Sequence, residues 1–415
     1  MARPATCRRR VTLLLVLVCA VCLTLVVRRR AFDAELAMQG REWRVFAAGV
    51  HAEEAPKPGG GRGLLVIGGG HYTLDALLTI AALRFVGCKL PVELWHDHDA
   101  RLLGAAGTKV AAAIGASAGV TLRDSYELPG GSEVRGYQLK SHAMVNTAFE
   151  EVLYIDADNV AVSDPTPLFS TPSYVATGAV FWPDYRSYNP LNPMWQVVGR
   201  APVPSMEMES GQMLVHRGRH RVPLALADYF NQRGPSYYYR FVHGDKDLFR
   251  FAWLALAAPF TMVATAVGSV GYVAPDGGFC GHSMLQYHPD KPSEAVFAHR
   301  NLRKWSAFPV DDVARWGAIK RGRLTVSEPA SMPRVTPSAQ CSCGSGHEPR
   351  HHCLDLDTPV DGSPASQGTL RKLAAIEQRL LRLRPQLVGT GASAGGLQPS
   401  WWVAWAASLA SGAKL

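Results

Sequence analysis

The stretch VLYIDADN, residues 152–159, runs from four apolar residues into two aspartates one residue apart, Asp156 and Asp158, with an asparagine behind them. Two carboxylates delivered on a turn beyond a buried strand can both reach one hard divalent cation. A cation so held keeps positions free for phosphate oxygens. The same pair also suits a turn that only caps a strand. Downstream, MEMESGQMLV sets Glu209 before a Ser-Gly turn, and HGDKDLFRF sets Asp245 and Asp247 at a helix start, where an N-cap role alone would account for Asp245. Finally, FAHRNLRKW gathers His299, Arg300, Arg303, Lys304 and Trp305. The histidine is suited as a third metal ligand and the basic residues to a diphosphate, although an isolated histidine of this kind also serves as a hydrogen-bonded surface residue.

These groups need elements to bring them together. LLVIGGGHYTLDALLTIAALRFVG, from Leu64, reads as an apolar strand, a glycine turn and a helix, and VELWH as the next strand. GTKVAAAIGAS reads as a further helix, 136–149 as another, and VLYI, YVATGAVFW and QMLV as strands. A last strong helix starts near Asp245, with Leu248, Phe251, Ala252 and Ala255 at i, i+3, i+4 and i+7. Alternating strands and helices imply an α/β fold with a largely parallel sheet covered on both faces. In such sheets ligands collect beyond the carboxyl ends of the strands, where Asp156 and Asp158 fall. A helix over Tyr137 to Ala148 is about 18 Å long and a strand from Val152 to Asp156 running back is about 17 Å, so Lys140 should return to the rim that carries Asp156. A lysine there can neutralise a phosphate, whereas without that company it is an ordinary solvated helix residue.

The chain has 415 residues, 47% of them apolar, enough for one large or two ordinary domains. Its formal charge of +9 is matched by nine arginines in the first 44 residues, so the remainder gives no reason to expect nucleic acid. Val11 to Val27 is uncharged and bracketed by arginines, which reads as a signal anchor of about 25 Å, with residues 1–10 cytosolic and the body lumenal. A cleaved signal peptide would show a small-x-small site after the apolar run, and three arginines stand there instead. Residues 28–62 read as a polar stem, 63–306 as the globular domain, and 307–415 as an extension. Within the extension, LRKLAAIEQRLLRLR is an isolated amphipathic helix and SWWVAWAASLA is too short to span a bilayer. The body holds Cys88, Cys280, Cys341, Cys343 and Cys353, an odd number, so at least one is free or intermolecular if the others pair. Cys341, Cys343, His347, His351, His352 and Cys353 have the residue types of a zinc site, but in a lumenal body disulfides are the simpler expectation.

LKSHAMVNTAFEEVLYIDADNVAVSDPTPLF, FWPDY, ESGQMLV, HGDKDLFRFAWLAL and MLQYHPD followed by FAHRNLRKW occur in that order. Together they resemble the fungal-type Golgi α-mannosyltransferases of glycosyltransferase family 71, over about Leu64 to Trp305. The resemblance implies a GT-A-like, Rossmann-related mixed sheet flanked by helices. It also implies GDP-mannose as donor, a divalent ion (usually manganese), a glycan or glycoprotein acceptor, retention of the α configuration, and a single-pass type II Golgi membrane protein. It makes Asp156 and Asp158 the metal and diphosphate pair and Lys140 a donor-site lysine. His299 becomes a third metal ligand, Lys304 a diphosphate contact, and Gly68 and Gly70 of VIGGGH part of the guanosine cradle. Glu209 and Asp245 fall where relatives bind the sugar, and are the candidates for stabilising an oxocarbenium-like centre. Three other readings stand beside this one. A GT-A hexosyltransferase could use a UDP-sugar, and a membrane-anchored sugar-binding protein could be catalytically silent. A nucleotide-dependent oxidoreductase is the third, and GGGHYT supports it poorly because Thr73 stands where a third glycine belongs.

Overall fold

In the computed structural model the described residues are 5–53, 60–69, 72–96, 119–127, 131–274, 277–302, 304–305, 316–323 and 356–388, with backbone alone for 5–15, 132 and 385–388. Gly70, Arg303, the helix expected in GTKVAAAIGAS, the cysteine-histidine cluster at 341–353 and the apolar patch at 400–410 lie outside them.

The first sheet is built on β1 (Arg62–Ile67), which pairs in parallel with β2 (Val92–His96) on one side and β4 (Glu151–Ile155) on the other. β3 (Val120–Asp124) extends it in parallel beyond β2. β1, β2 and β4 are buried along most of their length without alternation because helices cover both faces. α2 (Thr73–Phe85) and α3 (Gln138–Asn146) are two of those helices. The parallel half ends at β4. β7 (Met206–His216) runs antiparallel to it, β6 (Ala179–Ser187) antiparallel to β7, and the short β8 (Thr261–Met262) parallel to β6. The sheet is therefore mixed, in the order β3-β2-β1-β4-β7-β6-β8, rather than largely parallel. α6 (Arg221–Gln232) and α7 (Leu248–Ala255) cover its second half, beside the short α5 (Met194–Val198).

A second, antiparallel sheet begins immediately after β4. The turn at 156–158 leads into β5 (Asn159–Ala161), the edge of a sheet ordered β12-β9-β10-β11-β5. Its other members are β9 (Gly268–Val273), β10 (Phe279–His288), β11 (Lys291–His299) and β12 (Ala318–Lys320). In the β11–β5 register His299 faces Asn159. The aspartate turn is thus the hinge between two sheets, and that register brings a histidine 141 residues downstream of Asp158 to its side.

Several expected elements differ in form. YVATGAVFW does not form one strand: Pro172–Thr177 is a helix, α4, with proline in its first turn, and Gly178 at φ 72° ends it before β6 starts. QMLV is the end of the longer β7. α7 begins at Leu248, three residues beyond Asp245. The helix LRKLAAIEQRLLRLR belongs to α8 (Pro364–Val388), which is packed on α2, β11 and β12 rather than isolated.

The expected anchor and the stem as far as Ala52 are one helix, α1 (Ala5–Ala52). Residues 16–27 are exposed, whereas Leu36, Trp43 and Ala47 are buried against α5 and α6, with Trp43 Nε1 donating to Val197 O at 2.8 Å. Among the described residues no helix is long and apolar enough to cross a membrane. The side chains of residues 11–15 of the expected span lie outside that description.

Candidate active site

Beyond the carboxyl ends of β1 and β4 lies a cavity of about 620 Å3 lined by Gly68, Tyr72, Tyr137, Lys140, Asp156, Asp158, Glu209, Asp245, His299 and Lys304, among others. Each of the described site residues expected from the sequence therefore faces one space.

The turn at its floor is tied from three sides. The Asp156 amide donates to Gly211 O at 2.9 Å, and Asn159 Nδ2 donates to Gly211 O at 2.9 Å and Gln212 Oε1 at 2.7 Å, fixing it to β7. From α2, Thr79 Oγ1 donates to Ala157 O at 2.6 Å. From the end of β11, the Arg300 amide donates to Asp158 O at 2.8 Å. The asparagine behind the aspartates thus works inside the fold, satisfying buried backbone that would otherwise cost stability.

The charged groups form an alternating network. Lys140 Nζ lies 3.2 Å from Asp156 Oδ1 and 2.9 Å from Asp245 Oδ2, and donates to Ser210 O at 3.0 Å. His299 Nε2 is 3.1 Å from Asp158 Oδ1 and 3.9 Å from Asp156 Oδ2, and its Nδ1 is 3.5 Å from Glu209 Oε1. Lys304 Nζ is 2.8 Å from Asp158 Oδ2. Tyr154 donates its hydroxyl to Asp156. Asp245 is not a helix cap: Asp247, at φ 67°, holds the cap position and binds the Met208 amide and Arg250, leaving Asp245 to Lys140.

Burial sets the electrostatics. It alone would lower the Lys140 pKa, but Asp156 and Asp245 outweigh it and hold the lysine above its ordinary value. Burial raises Asp156, against the pull of Lys140 and His299. For Asp158 the burial effect is overcome by His299 and Lys304, and for Glu209 by Lys246 and His299, so both stay below the usual carboxylate range. His299 is raised to about 10, because Asp158 and Glu209 outweigh its burial. Such groups remain charged out of water only while their partners are in place.

Oxygens of Asp156 and Glu209 and a ring nitrogen of His299 lie within 4.8 Å of one another. Two carboxylates and an imidazole suit a divalent cation of manganese, magnesium or zinc type. Asp158, the other ligand that the resemblance implies, has its two oxygens on His299 and Lys304. Close packing explains the glycine in ESGQ: a Cβ on Gly211 would stand 2.6 Å from the His299 ring and 3.0 Å from Glu209 Oε1.

Sequence reading missed Lys246, which lies 2.7 Å from Glu209 Oε2 and 3.0 Å from Asp184 Oδ2. A lysine between two aspartates in HGDKD reads as a solvated charge.

The chain matches the model of the family described as "Mannosyltransferase putative" over residues 61–195 and 193–288. It is 28% identical over 290 residues to alpha-1,2-mannosyltransferase MNN21 of Candida albicans, a match covering 56% of this chain and 44% of that protein. To alpha-1,2-mannosyltransferase MNN2 of Saccharomyces cerevisiae it is 28% identical over 276 residues, covering 55% and 45%. The chain thus spans somewhat less than half the length of these curated relatives. Among solved structures it is similar to the glycosyltransferase GlyE of Streptococcus pneumoniae, at 14% identity and a TM-score of 0.33 over 49% of this chain and 46% of that one. It is also similar to the galactosyltransferase LgtC, at 14% identity and a TM-score of 0.33 over 46% and 69%.

Proposed function

The chain belongs to the mannosyltransferase family matched over residues 61–288, and from that premise we propose that it transfers mannose from GDP-mannose to a mannose-containing glycan or glycoprotein on a GT-A scaffold. The observation that carries the reading is the Asp156, Glu209 and His299 trio flanked by Lys140, Lys246 and Lys304 in one cavity. A sugar diphosphate brings negative charge to its reacting end, and this site supplies cationic groups already oriented there. The names of the relatives favour an α-1,2 product.

Cleavage of the sugar–phosphate bond develops charge on the departing diphosphate. Lys304, held by Asp158, and Lys140, held by Asp156 and Asp245, are fixed before that charge appears and need no reorganisation to meet it. Asp156, Glu209 and His299 would hold a divalent ion, which we take to be manganese, and when bound it supplies Lewis-acid stabilisation of the diphosphate. Gly68, whose amide donates to Trp95 O at 2.8 Å, lines the cavity wall beyond β1 where the guanosine would lie, and its lack of a Cβ serves the packing of α2, since one would meet Leu94 and Ala76. Of the two candidates for the sugar end, Glu209 is taken up by the ion, which leaves Asp245 to shield positive charge on the anomeric carbon, and this suits transfer with retention.

In this reading the enzyme is a single-pass type II Golgi membrane protein with its body in the lumen. Two observations support that placement. Residues 16–27 of α1 expose Val16, Leu17, Leu23 and Val27, among others, to the surroundings. Cys280 is disulfide-bonded, while Cys19, Cys22 and Cys88 are free. Disulfides persist in oxidising compartments.

The decisive assay incubates the full chain in detergent with GDP-mannose, UDP-galactose and UDP-glucose and a panel of manno-oligosaccharides, with linkage determined on the product. Turnover of GDP-mannose to an α-mannoside is expected. Chelation should abolish it and manganese restore it. Turnover of a UDP-sugar instead, or glycan binding without any turnover, would overturn the reading.

A further inference from the structure

The family match ends at residue 288, and α8 lies wholly beyond it. This helix buries Leu373, Ile376, Leu380 and Leu383 in the same core as α2, and buries a charge, Glu377, 4% exposed. Glu377 Oε1 stands 3.6 Å from Arg300 Nη1, and Arg300 is 1% exposed. The Arg300 guanidinium is 4.0 Å from the centre of the Trp305 ring and 4.9 Å from that of Trp316. Trp316 Nε1 in turn donates to Ser283 Oγ of β10 at 3.0 Å. Arg300 is thus gripped by an ion pair and two indoles on the side away from the cavity.

What makes this grip consequential is the neighbours. His299 precedes Arg300 in the chain and turns its ring to Asp158 and Glu209, Lys304 follows and pairs with Asp158, and the Arg300 amide itself donates to Asp158 O. Adjacent residues of an extended segment point to opposite faces, so holding the Arg300 side chain in the core aims His299 into the site.

We infer that α8 is part of the catalytic unit, with Glu377 and Arg300 as positioning residues that fix His299 and Lys304 toward the bound diphosphate. Neither carboxylate nor guanidinium reaches the cavity, so the role acts through the segment 299–304. The functional half of this inference rests on the sugar-diphosphate reading above, while the structural half does not.

The test uses the full chain as wild type, Glu377→Gln and Glu377→Asp. Amide exchange of peptides spanning 297–302 should quicken about tenfold in Glu377→Gln while β1 keeps its protection, because a buried charge loses its partner at one place. The value of kcat should fall about tenfold with the donor KM changed less than about threefold, since His299 and Lys304 act on charge that develops in the transition state. Glu377→Asp, which keeps the charge, should recover part of both effects. Wild-type exchange at 297–302 in Glu377→Gln would overturn the inference. So would protection lost equally in β1, which would make the pair a general stabiliser. Inactivity of the wild type toward GDP-mannose would sink the donor reading, and the exchange result would still decide the positioning role.

Discussion

At the scale of single residues, Asp158 and Gly211 test different parts of the site. Asp158→Ala leaves His299 and Lys304 without the carboxylate that orients both, and turnover should fall at least a hundredfold in a protein that stays folded at a lowered thermal midpoint, because buried His299 loses a partner. Undiminished turnover would remove the aspartate turn from the mechanism. Gly211→Ala adds one methyl group 2.6 Å from the His299 ring, which must then move. Its expected signature is weaker manganese activation, by about ten- to a hundredfold, in a folded protein. Glu209 and Asp245 separate in the same way. Glu209→Gln should alter metal dependence as well as rate, because Glu209 is one of the three groups proposed to hold the ion, whereas Asp245→Asn should lower kcat with metal dependence intact. Metal titrations of the two variants that superimpose would refute that division. Lys140 was legible from length arithmetic, which placed it on the rim of Asp156, although α3 (Gln138–Asn146) is shorter than the helix that the arithmetic assumed. Lys246 and Asp184 were not, because their value lies in each other and in Glu209, which no spacing in the sequence brings together.

Among the elements, the segment 172–187 shows why a run of β-formers can be misread. YVATGAVFW has strand composition throughout, yet Pro172 supports a helical first turn and Gly178 at φ 72° supplies a left-handed stop that other residues adopt poorly. Those two residues outweigh the propensity of the five between them. Gly178→Ala should destabilise the protein by about 1 kcal/mol through strain at that angle, more if Arg219, 3.0 Å from the added Cβ, does not yield. Denaturant unfolding measures the loss, and the donor KM should not change. The second sheet was less legible than the first. Its strands carry no alternation with helices, and the β5–β11 pairing joins residues far apart in the chain. The one trace of it in the sequence was the histidine that chemistry required near the aspartates.

For the molecule as a whole, the decisive feature is that α1 does not stop at the apolar segment. From Phe32 onward it carries Phe32, Leu36, Gln39, Trp43, Phe46 and Val50 at spacings of three and four, a stripe that polar neighbours disguised as a stem. Leu36 and Trp43 are 1% and 4% exposed, Tyr238 donates its hydroxyl to Gln39 Oε1 at 2.8 Å, and Arg240 pairs with Glu35 at 2.5 Å. If residues 11–27 anchor the chain as proposed, about nine helical residues, some 14 Å, separate the anchor from the first buried contact, too little for the body to swing freely. The helix is then as much a core element of the domain as a tether. Removing residues 1–30 should leave the domain folded and as stable as the full chain in detergent. Removing residues 1–52 uncovers Trp195, Val197, Tyr229 and Phe230, which share one core with Trp43, and should yield protein that aggregates. Trp43→Ala alone should cost about 3–5 kcal/mol, from the lost indole and the unpaired Val197 carbonyl. Light scattering and denaturant unfolding of the three forms check this, and a chain starting at residue 53 that is monomeric and as stable as the full chain would show that α1 only tethers.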